Sequence, residues 1–186
     1  RNSGLNFSII RPTAYFKSLS GQIENIKKGK PYIYFGDGKL TQCNPISEKD
    51  LSLFILSCIS DKNKWKKILP IGGPSQSLTP KNVGEMLFEI FEVKPKYRSF
   101  PIKILDVISL FFLIGSPFSN WAKNKFELIK IAKYYATESM LVWDEDKMCY
   151  DPFKTPSTGK DTLEQYFYAI KKQKVELNID RDSKLY

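Results

Sequence analysis

The stretch SGLNFSIIRPTAYFK at residues 3–17 decides the fold of this chain. Residues 6–10 alternate and then run apolar, with β-branched and aromatic side chains, which is typical of a short buried strand. Arg11 and Pro12 are expected to end the strand, because proline has no backbone N–H to donate to a sheet. A helix is expected to begin near Lys17. Ligands of open α/β sheets bind beyond the carboxyl ends of the strands, so residues 12–16 form a candidate site, although an ordinary strand-to-helix connection has the same pattern.

Composition narrows the class of protein. The chain has 186 residues, of which 42% are hydrophobic and 26% charged, as in a soluble globular domain. Its net charge is +9, but no arginine-rich tract, zinc finger or aromatic RNA-binding motif accompanies this charge. Frequent lysines interleaved with carboxylates on the predicted helices are one explanation of the charge, and attraction to a phosphorylated cofactor or an acidic lipid is the other; nucleic acid is not expected. Because the first residue is arginine and a strand follows directly, we expect the C-terminal part of a longer protein.

The residue types exclude several chemistries. The sequence contains no histidine, which removes histidine acid–base catalysis and Ser-His-Asp triads from this portion. Cys43, Cys58 and Cys149 are far apart in sequence, so no zinc or iron–sulfur spacing exists and free thiols are expected. Tyr-x-x-x-Lys spacings occur at residues 150–154 and 168–172, but a chain this rich in both residues produces such matches by chance.

Hydrophobic periodicity and turn residues predict alternating strands and helices. Helices are predicted at residues 18–29, 45–59, 79–91, 102–114, 120–135 and 161–172, and strands at 31–35, 66–71, 96–100 and 139–143. The glycine turn after residue 35 predicts that residues 40–43 return as the second strand of a hairpin. This order predicts an α/β fold: the second half of a sheet with an inserted hairpin at 1–100, a mostly helical cap at 101–175, and a tail at 176–186.

Residues 102–114 form the most apolar stretch, interrupted by Lys103, Asp106 and Ser109. A membrane-spanning helix needs ~20 apolar residues, so this stretch is too short and too charged to be one. A helix buried in a small subdomain is the simplest interpretation, because long apolar runs are usually core. The alternatives are the wall of a pocket for a large flat apolar ligand, and a patch that contacts a membrane surface.

Six stretches, in the same order along the chain, resemble the divinyl chlorophyllide 8-vinyl reductases. Each motif by itself is weak, whereas six in register are specific. They are SGLNFSIIRPTAYFKSL at 3–19, KGKPYIYFGDGKL at 28–40, PISEKDL at 45–51, LPIGGP at 69–74, KYYATESMLV at 133–142 and GKDTL at 159–163.

The resemblance implies an atypical short-chain dehydrogenase/reductase with a Rossmann-like NAD(P)-binding core. Such an enzyme reduces the 8-vinyl group of divinyl chlorophyllide or protochlorophyllide to ethyl with NADPH, during chlorophyll biosynthesis. The residues implied to bind NADPH are Pro12, Thr13, Ala14 and Phe16. The residues implied to bind the tetrapyrrole are Tyr15, Phe16, Phe111 and Phe112. The glycine-rich phosphate-binding turn and the catalytic acid or base are not in this sequence and are expected upstream; no metal is expected.

Other readings of the same features stay open. One is a non-catalytic, NmrA-like regulator that senses NADP and binds a protein partner. Another is a reductase or epimerase of the same superfamily that acts on a sugar nucleotide or an isoflavonoid-like substrate, for which a more polar cap than residues 102–114 is expected. The pathway implies a plastid or, alternatively, the cytoplasm of a photosynthetic bacterium. A peripheral contact with a membrane is a further expectation.

Overall fold

A computed structural model of the chain describes residues 4–115, 117 and 119–173. In chain order its elements are β1 (Ser8–Pro12), α1 (Ile23–Lys27), β2 (Tyr32–Phe35), α2 (Glu48–Ser60), β3 (Lys67–Ile71), α3 (Pro80–Phe91), β4 (Tyr97–Phe100), α4 (Lys103–Gly115), α5 (Asn120–Thr137), β5 (Val142–Asp144), β6 (Cys149–Asp151) and α6 (Leu163–Lys171).

Two parallel strand pairs form the sheet portion of the fold. β1 pairs with β3, from Ser8 opposite Lys67 to Pro12 opposite Ile71. β2 pairs in parallel with β4. Parallel strands need long crossover connections, and α1, α2 and α3 lie in those connections. The α/β class predicted from the sequence is confirmed, and β1 ends at Pro12, within the Arg11–Pro12 pair that is predicted to end it.

The hairpin predicted between residues 31–35 and 40–43 is wrong, because β2 pairs with β4 instead. The backbone of Cys43 pairs with that of Leu78, through N–H···O distances of 3.1 and 2.9 Å. Cys43 therefore satisfies its backbone groups against the segment before α3. Gln42, on its other side, bonds to Ser139 and Met140, so the backbone groups of both residues are directed away from β2.

The main core lies between α1, β2, α3 and α6. Its buried side chains include Ile23, Ile26, Tyr32, Val83, Leu87, Phe88, Ile90, Leu163, Phe167 and Ile170. Helical spacing in the sequence predicts one buried face of α3 and one of α6, and both are found here, except that Phe91 is only partly buried. The predicted faces are Val83, Leu87, Ile90 and Phe91 on α3, and Leu163, Phe167 and Ile170 on α6. Full burial of one such side chain contributes about 1.5–3 kcal/mol, so this cluster fixes α6 against α3.

Side-chain caps begin two of the helices, at Ser47 and Thr79, residue types that favour this position. The Ser47 hydroxyl accepts the N–H of Asp50 at 2.9 Å at the start of α2. At the start of α3, Thr79 and Asn82 form a reciprocal capping box, and Pro80 is the first residue of the helix. Both caps satisfy backbone donors that the first turn of a helix leaves without partners.

α1 is shorter than the helix predicted at residues 18–29. The structure has a separate 3-10 turn at Lys17–Leu19 and begins α1 at Ile23. Between them, the side-chain amide of Gln22 exchanges two hydrogen bonds with the backbone of Ile33, at 2.8 and 2.7 Å. Gln22, which lies inside the predicted helix, is thus bonded through its side chain to the edge of β2 that does not face β4.

The apolar stretch forms α4, as predicted, but it is not buried. α4 packs on α5 as a helical hairpin, and Leu105 is the buried side chain of α4. The interpretation as a buried helix is therefore wrong, because one neighbouring helix covers one side of α4 only. None of the helices within the described ranges has the length and hydropathy that crossing a bilayer requires.

β5 and β6 form an antiparallel hairpin, with Val142 opposite Asp151. The sequence predicted a strand near residues 139–143 and did not predict its partner. The division at residues 100 and 101 stays a prediction, and the tail at 176–186 lies outside the described residues.

Candidate functional site

Three chain segments meet where β1 and β3 end. Thr13 follows β1 and donates its N–H to the carbonyl of Ile71 at 3.0 Å, so the two strands finish side by side. The third segment crosses between them: Ile46 donates to the carbonyl of Ala14 at 2.8 Å, and Gly73 donates to that of Asn44 at 3.0 Å. In parallel sheets this is the edge at which ligands bind.

Gly73 allows this crossing. A Cβ at residue 73 would lie 2.0 Å from the carbonyl oxygen of Pro45, which no side chain permits. Gly72 is similarly tight, with its Cβ position 2.6 Å from the Cβ of Asn44. The two glycines of the LPIGGP motif thus serve close backbone packing, and the PISEKDL motif supplies the segment on which they pack.

Hydrogen bonds among Thr13, Asn44 and Ser77 stabilise the same edge. The Thr13 hydroxyl donates to the backbone carbonyl of Asn44, and the Ser77 hydroxyl donates to the side-chain oxygen of Asn44. Asn44 is buried, so these bonds meet the requirement that buried polar groups be paired. With its proton committed, the Thr13 oxygen keeps lone pairs that can accept a hydrogen bond from a ligand. Sequence reasoning singled out Thr13 and missed Asn44 and Ser77, which no motif marks.

The predicted loop residues divide into two groups. Pro12 and Thr13 are half-buried, and the ring of Tyr15 is 38% exposed. Ala14 and Phe16 are each only 5% exposed. From Thr13 to Phe16 accessible and buried side chains alternate, as successive side chains of an extended segment do, whereas Pro12 does not follow this alternation.

Phe16 belongs to the main core. Its ring lies 5.6 Å from that of Tyr166, centroid to centroid, and it packs with the buried side chains of α1 and α3. In the structure Phe16 therefore packs in the main core and fixes its end of the loop to that core. The ligand contacts predicted for Phe16 and Ala14 stay predictions.

Phe111 and Phe112 lie on α4, far along the chain from the loop. The ring of Phe112 makes edge-to-face contacts with those of Phe111 and Trp121, both at 5.5 Å. Phe111 is exposed and Phe112 half-buried. These ring contacts lie within the α4–α5 hairpin, so the predicted substrate contacts of both residues also stay predictions.

Two cavities, of about 460 and 390 Å³, lie along α3. The first is lined by Glu85, Glu89 and Glu92, among others, and the second by Glu85, Glu89 and Glu164. Clustered carboxylates repel phosphate, so neither cavity suits a nucleotide. The open edge beyond β1 and β3 is the better candidate.

Two ion pairs that involve buried aspartates stabilise the β5–β6 hairpin. Asp144 is buried and receives the ammonium of Lys154 at 2.8 Å, while Asp151 pairs with Lys147 at 2.6 Å. The hydrogen bond from Lys154 and two backbone donors keep the pKa of Asp144 below its usual value despite the opposing effect of burial. Within the described ranges, no group of three or more cysteine and carboxylate side chains could hold a metal ion.

Tyr150, from one of the two Tyr-x-x-x-Lys spacings, is not placed for proton transfer. Its hydroxyl donates to Glu138 at 2.6 Å, and this hydrogen bond is the main cause that raises the pKa of Tyr150 to about 12. A phenol held so firmly is a poor proton donor near neutral pH. Discounting this spacing on sequence grounds therefore agrees with the geometry.

Solved structures with the same fold define the class. The chain superposes on the NADPH-dependent quinone oxidoreductase of Escherichia coli, solved with NADPH, with a TM-score of 0.59 and 12% identity over 91% of this chain and 55% of that protein. It superposes on UDP-glucuronic acid 4-epimerase of Bacillus cereus, solved with UDP-glucuronic acid and NAD, with a TM-score of 0.55 and 16% identity over 94% of this chain and 48% of that one. The fold is thus the Rossmann-like α/β fold of these proteins. No protein-family model matches the chain.

Sequence similarity is more specific. The chain is 49% identical over 171 residues to a protein of rice (Oryza sativa subsp. indica) that is named divinyl chlorophyllide a 8-vinyl-reductase, chloroplastic. The aligned residues make up 91% of this chain and 42% of the rice protein. The Arabidopsis thaliana protein of the same name is also 49% identical over 171 residues, with 41% of its length covered. The resemblance predicted from the six motifs is confirmed, and the chain spans about two fifths of the length of these relatives.

Proposed function

We propose that the protein containing this chain reduces the 8-vinyl group of divinyl chlorophyllide to ethyl, with NADPH as the reductant. The observation that carries the proposal is the 49% identity over 91% of the chain to plant reductases of that name. This identity is far above the 12–16% shared with the two solved structures, which share the fold alone. The chloroplast in the relatives' names supports a plastid location.

The nicotinamide end of the cofactor is proposed to lie beyond β1 and β3. Pro12, Thr13 and Tyr15 have accessible surface at this edge, and the Thr13 oxygen can accept a hydrogen bond from a carboxamide. The sequence has no glycine-rich phosphate-binding turn, so this chain is proposed to hold the nicotinamide rather than the phosphates.

Tyr15 is the proposed contact for the tetrapyrrole. Its partly exposed ring lies next to Thr13, so an aromatic face is available beside the nicotinamide position. A flat macrocycle gains both apolar burial and ring stacking from such a face.

The proposed role of this chain in the reaction is to orient the nicotinamide and the substrate. Reduction of a vinyl group adds a hydride to one carbon and a proton to the other, and the nicotinamide supplies the hydride when bound. The chain holds the loop in place from two sides: Phe16 packs into the core below it, and Asn44 bonds to Thr13 beside it. A displacement of about 1 Å at a reacting centre can cost ~100-fold in rate, so this support has catalytic consequences.

The test uses the complete protein with divinyl chlorophyllide and NADPH. Formation of the monovinyl product, followed by absorption and by the mass of two added hydrogen atoms, is the expected result. Tight NADPH binding without turnover would replace the proposal with the NADP-sensing regulator. Turnover of a UDP-sugar instead would assign the chain to the epimerases that share its fold.

A further inference from the structure

α4 presents an apolar face that no other part of the described chain covers. Val107, Leu110, Phe111 and Ile114 follow the i, i+3, i+4, i+7 spacing of one helix face, and all four are exposed. The opposite side of α4 packs on α5, where Ala122 approaches the Cβ position of Gly115 to 3.3 Å. A contiguous apolar stripe facing water marks a binding surface more often than a chance arrangement.

The charge of the hairpin is strongly one-sided. Residues 103–137 contain five lysines and two carboxylates, and residues 107–126 contain no carboxylate. Both carboxylates are already paired: Asp106 bonds to Lys133, and Glu127 lies 3.4 Å from Lys130. Among the described residues, this pairing leaves no carboxylate of the hairpin to compensate the positive charges of Lys103, Lys123 and Lys125.

The order of residues along the hairpin fits an interface between water and hydrocarbon. The apolar face of α4 leads to Gly115, the indole of Trp121 at the start of α5 is exposed, and Lys123 and Lys125 follow within one turn. Tryptophan is enriched at the headgroup level of a membrane. Lysine can place its ammonium group among the headgroups while its methylene groups lie against the apolar region.

A second exposed apolar face shows why the charge matters. α2 exposes Leu53, Leu56 and Ile59, but residues 48–64 contain three lysines and three carboxylates. α2 therefore has no charge preference for its partner. Only the α4–α5 hairpin combines an apolar face with uncompensated positive charge within the described residues.

We propose that the α4–α5 hairpin docks on the surface of an anionic lipid bilayer. The apolar face of α4 lies in the boundary between headgroups and acyl chains, parallel to the membrane plane, with Lys123 and Lys125 at anionic headgroups. α4 has 13 residues, about 20 Å at 1.5 Å per residue, so it lies on the bilayer rather than across it. This proposal does not depend on the reaction proposed above.

The experiment is vesicle flotation of the complete protein. Vesicles of phosphatidylcholine with phosphatidylglycerol are expected to carry the protein upward, vesicles of phosphatidylcholine alone to carry much less, and high salt to reduce binding. The variant Leu110→Ser/Ile114→Ser is expected to lower the partition coefficient about tenfold or more, because both side chains lose apolar contact with the bilayer.

A matched control removes equal apolar surface elsewhere. Leu110 and Ile114 are 58% and 69% exposed, and Leu56 and Ile59 of α2 are 58% and 72% exposed. Leu56→Ser/Ile59→Ser is therefore expected to float like the unmodified protein, with both variants checked for folding by circular dichroism. Equal loss in the two variants would overturn the proposal, and so would failure of the unmodified protein to float.

The charge has its own control. Lys123→Glu/Lys125→Glu is expected to weaken flotation about tenfold or more, whereas Lys62→Glu/Lys67→Glu, with the same change in net charge, is expected to weaken it much less. Similar weakening by both would show general attraction rather than docking by this hairpin. A dimer in sedimentation that Leu110→Ser/Ile114→Ser dissociates would assign the face to a second copy and overturn the lipid proposal.

Discussion

The carboxylate of Asp50 lies so close to the backbone of Gly159 that a Cβ on residue 159 would be 2.2 Å from the carboxyl carbon. The carboxylate accepts the backbone N–H groups of Lys160 and Asp161, both at 2.9 Å. The first turn of α2 is thereby joined to the loop that leads into α6. Two of the motifs that carry the family resemblance, PISEKDL and GKDTL, are thus two halves of one contact.

Gly159→Ala is expected to lower the free energy of unfolding by about 2–4 kcal/mol. Two causes combine: Gly159 has φ +93°, which L side chains rarely adopt, and a Cβ would clash with Asp50. Urea denaturation measures the change. Gly21→Ala serves as the control, because a Cβ there meets nothing within 4 Å. A loss in Gly159→Ala no larger than that in Gly21→Ala would contradict the contact.

Asp50→Asn is expected to remove a pH dependence of stability. Burial alone would raise the pKa of Asp50, but hydrogen bonds from the backbone of residues 160 and 161 outweigh it and lower the pKa below its usual value. A lowered folded-state pKa stabilises the fold above the unfolded-state pKa, about 3.9, and this stabilisation is lost as the pH falls through the folded-state value.

The melting temperatures of the native protein and of Asp50→Asn should therefore differ at pH 6 and converge as the pH falls below about 4. Asp61→Asn is a suitable comparison: the backbone N–H of Asn63 also lowers the pKa of Asp61, but this carboxylate at the other end of α2 is more exposed, so a smaller gap in the same direction is expected. A gap for Asp50→Asn that stays constant down to the acid limit would show that its charge contributes nothing.

Tyr15 and Phe16 are adjacent, yet their substitution should have different effects. Phe16→Ala is expected to lower the free energy of unfolding by about 3–5 kcal/mol, because it removes a ring from the main core. Tyr15→Ala is expected to change stability little, since this ring is 38% exposed, and to raise the KM for the tetrapyrrole. Denaturation and steady-state kinetics separate the two. An unchanged KM in Tyr15→Ala would remove the proposed substrate contact.

The cysteines should differ in reactivity. All three are free, with Cys43 and Cys58 buried and Cys149 exposed. Burial raises the pKa of the Cys43 thiol to about 12, so almost no reactive thiolate forms there at neutral pH. In the described fold, a thiol reagent should modify Cys149 rapidly and the other two only after denaturation. Cys149→Ser should abolish the rapid phase, and its persistence would show that a buried thiol is accessible.

The sequence by itself determined the class of fold and those local elements whose signals lie within a few residues of one another. Ser47 and Thr79 predict helix starts because their hydroxyls can pair with backbone donors only a few residues away, and the faces of α3 and α6 follow from helical spacing. It also determined the similarity to the reductases, because motif order is a property of the chain alone. The loop after β1 was predicted as a site from its position after a strand.

Only the tertiary structure decided which surfaces and backbones meet. The partner of β2 is β4, more than sixty residues away, and no local pattern distinguishes that pairing from a hairpin. The same holds for Phe16, which the fold buries next to an exposed Tyr15, and for α4, whose apolar sequence predicts burial although a single neighbouring helix covers only one side. Hydrophobicity states what a side chain prefers, whereas burial depends on which distant segments of the chain arrive to cover it.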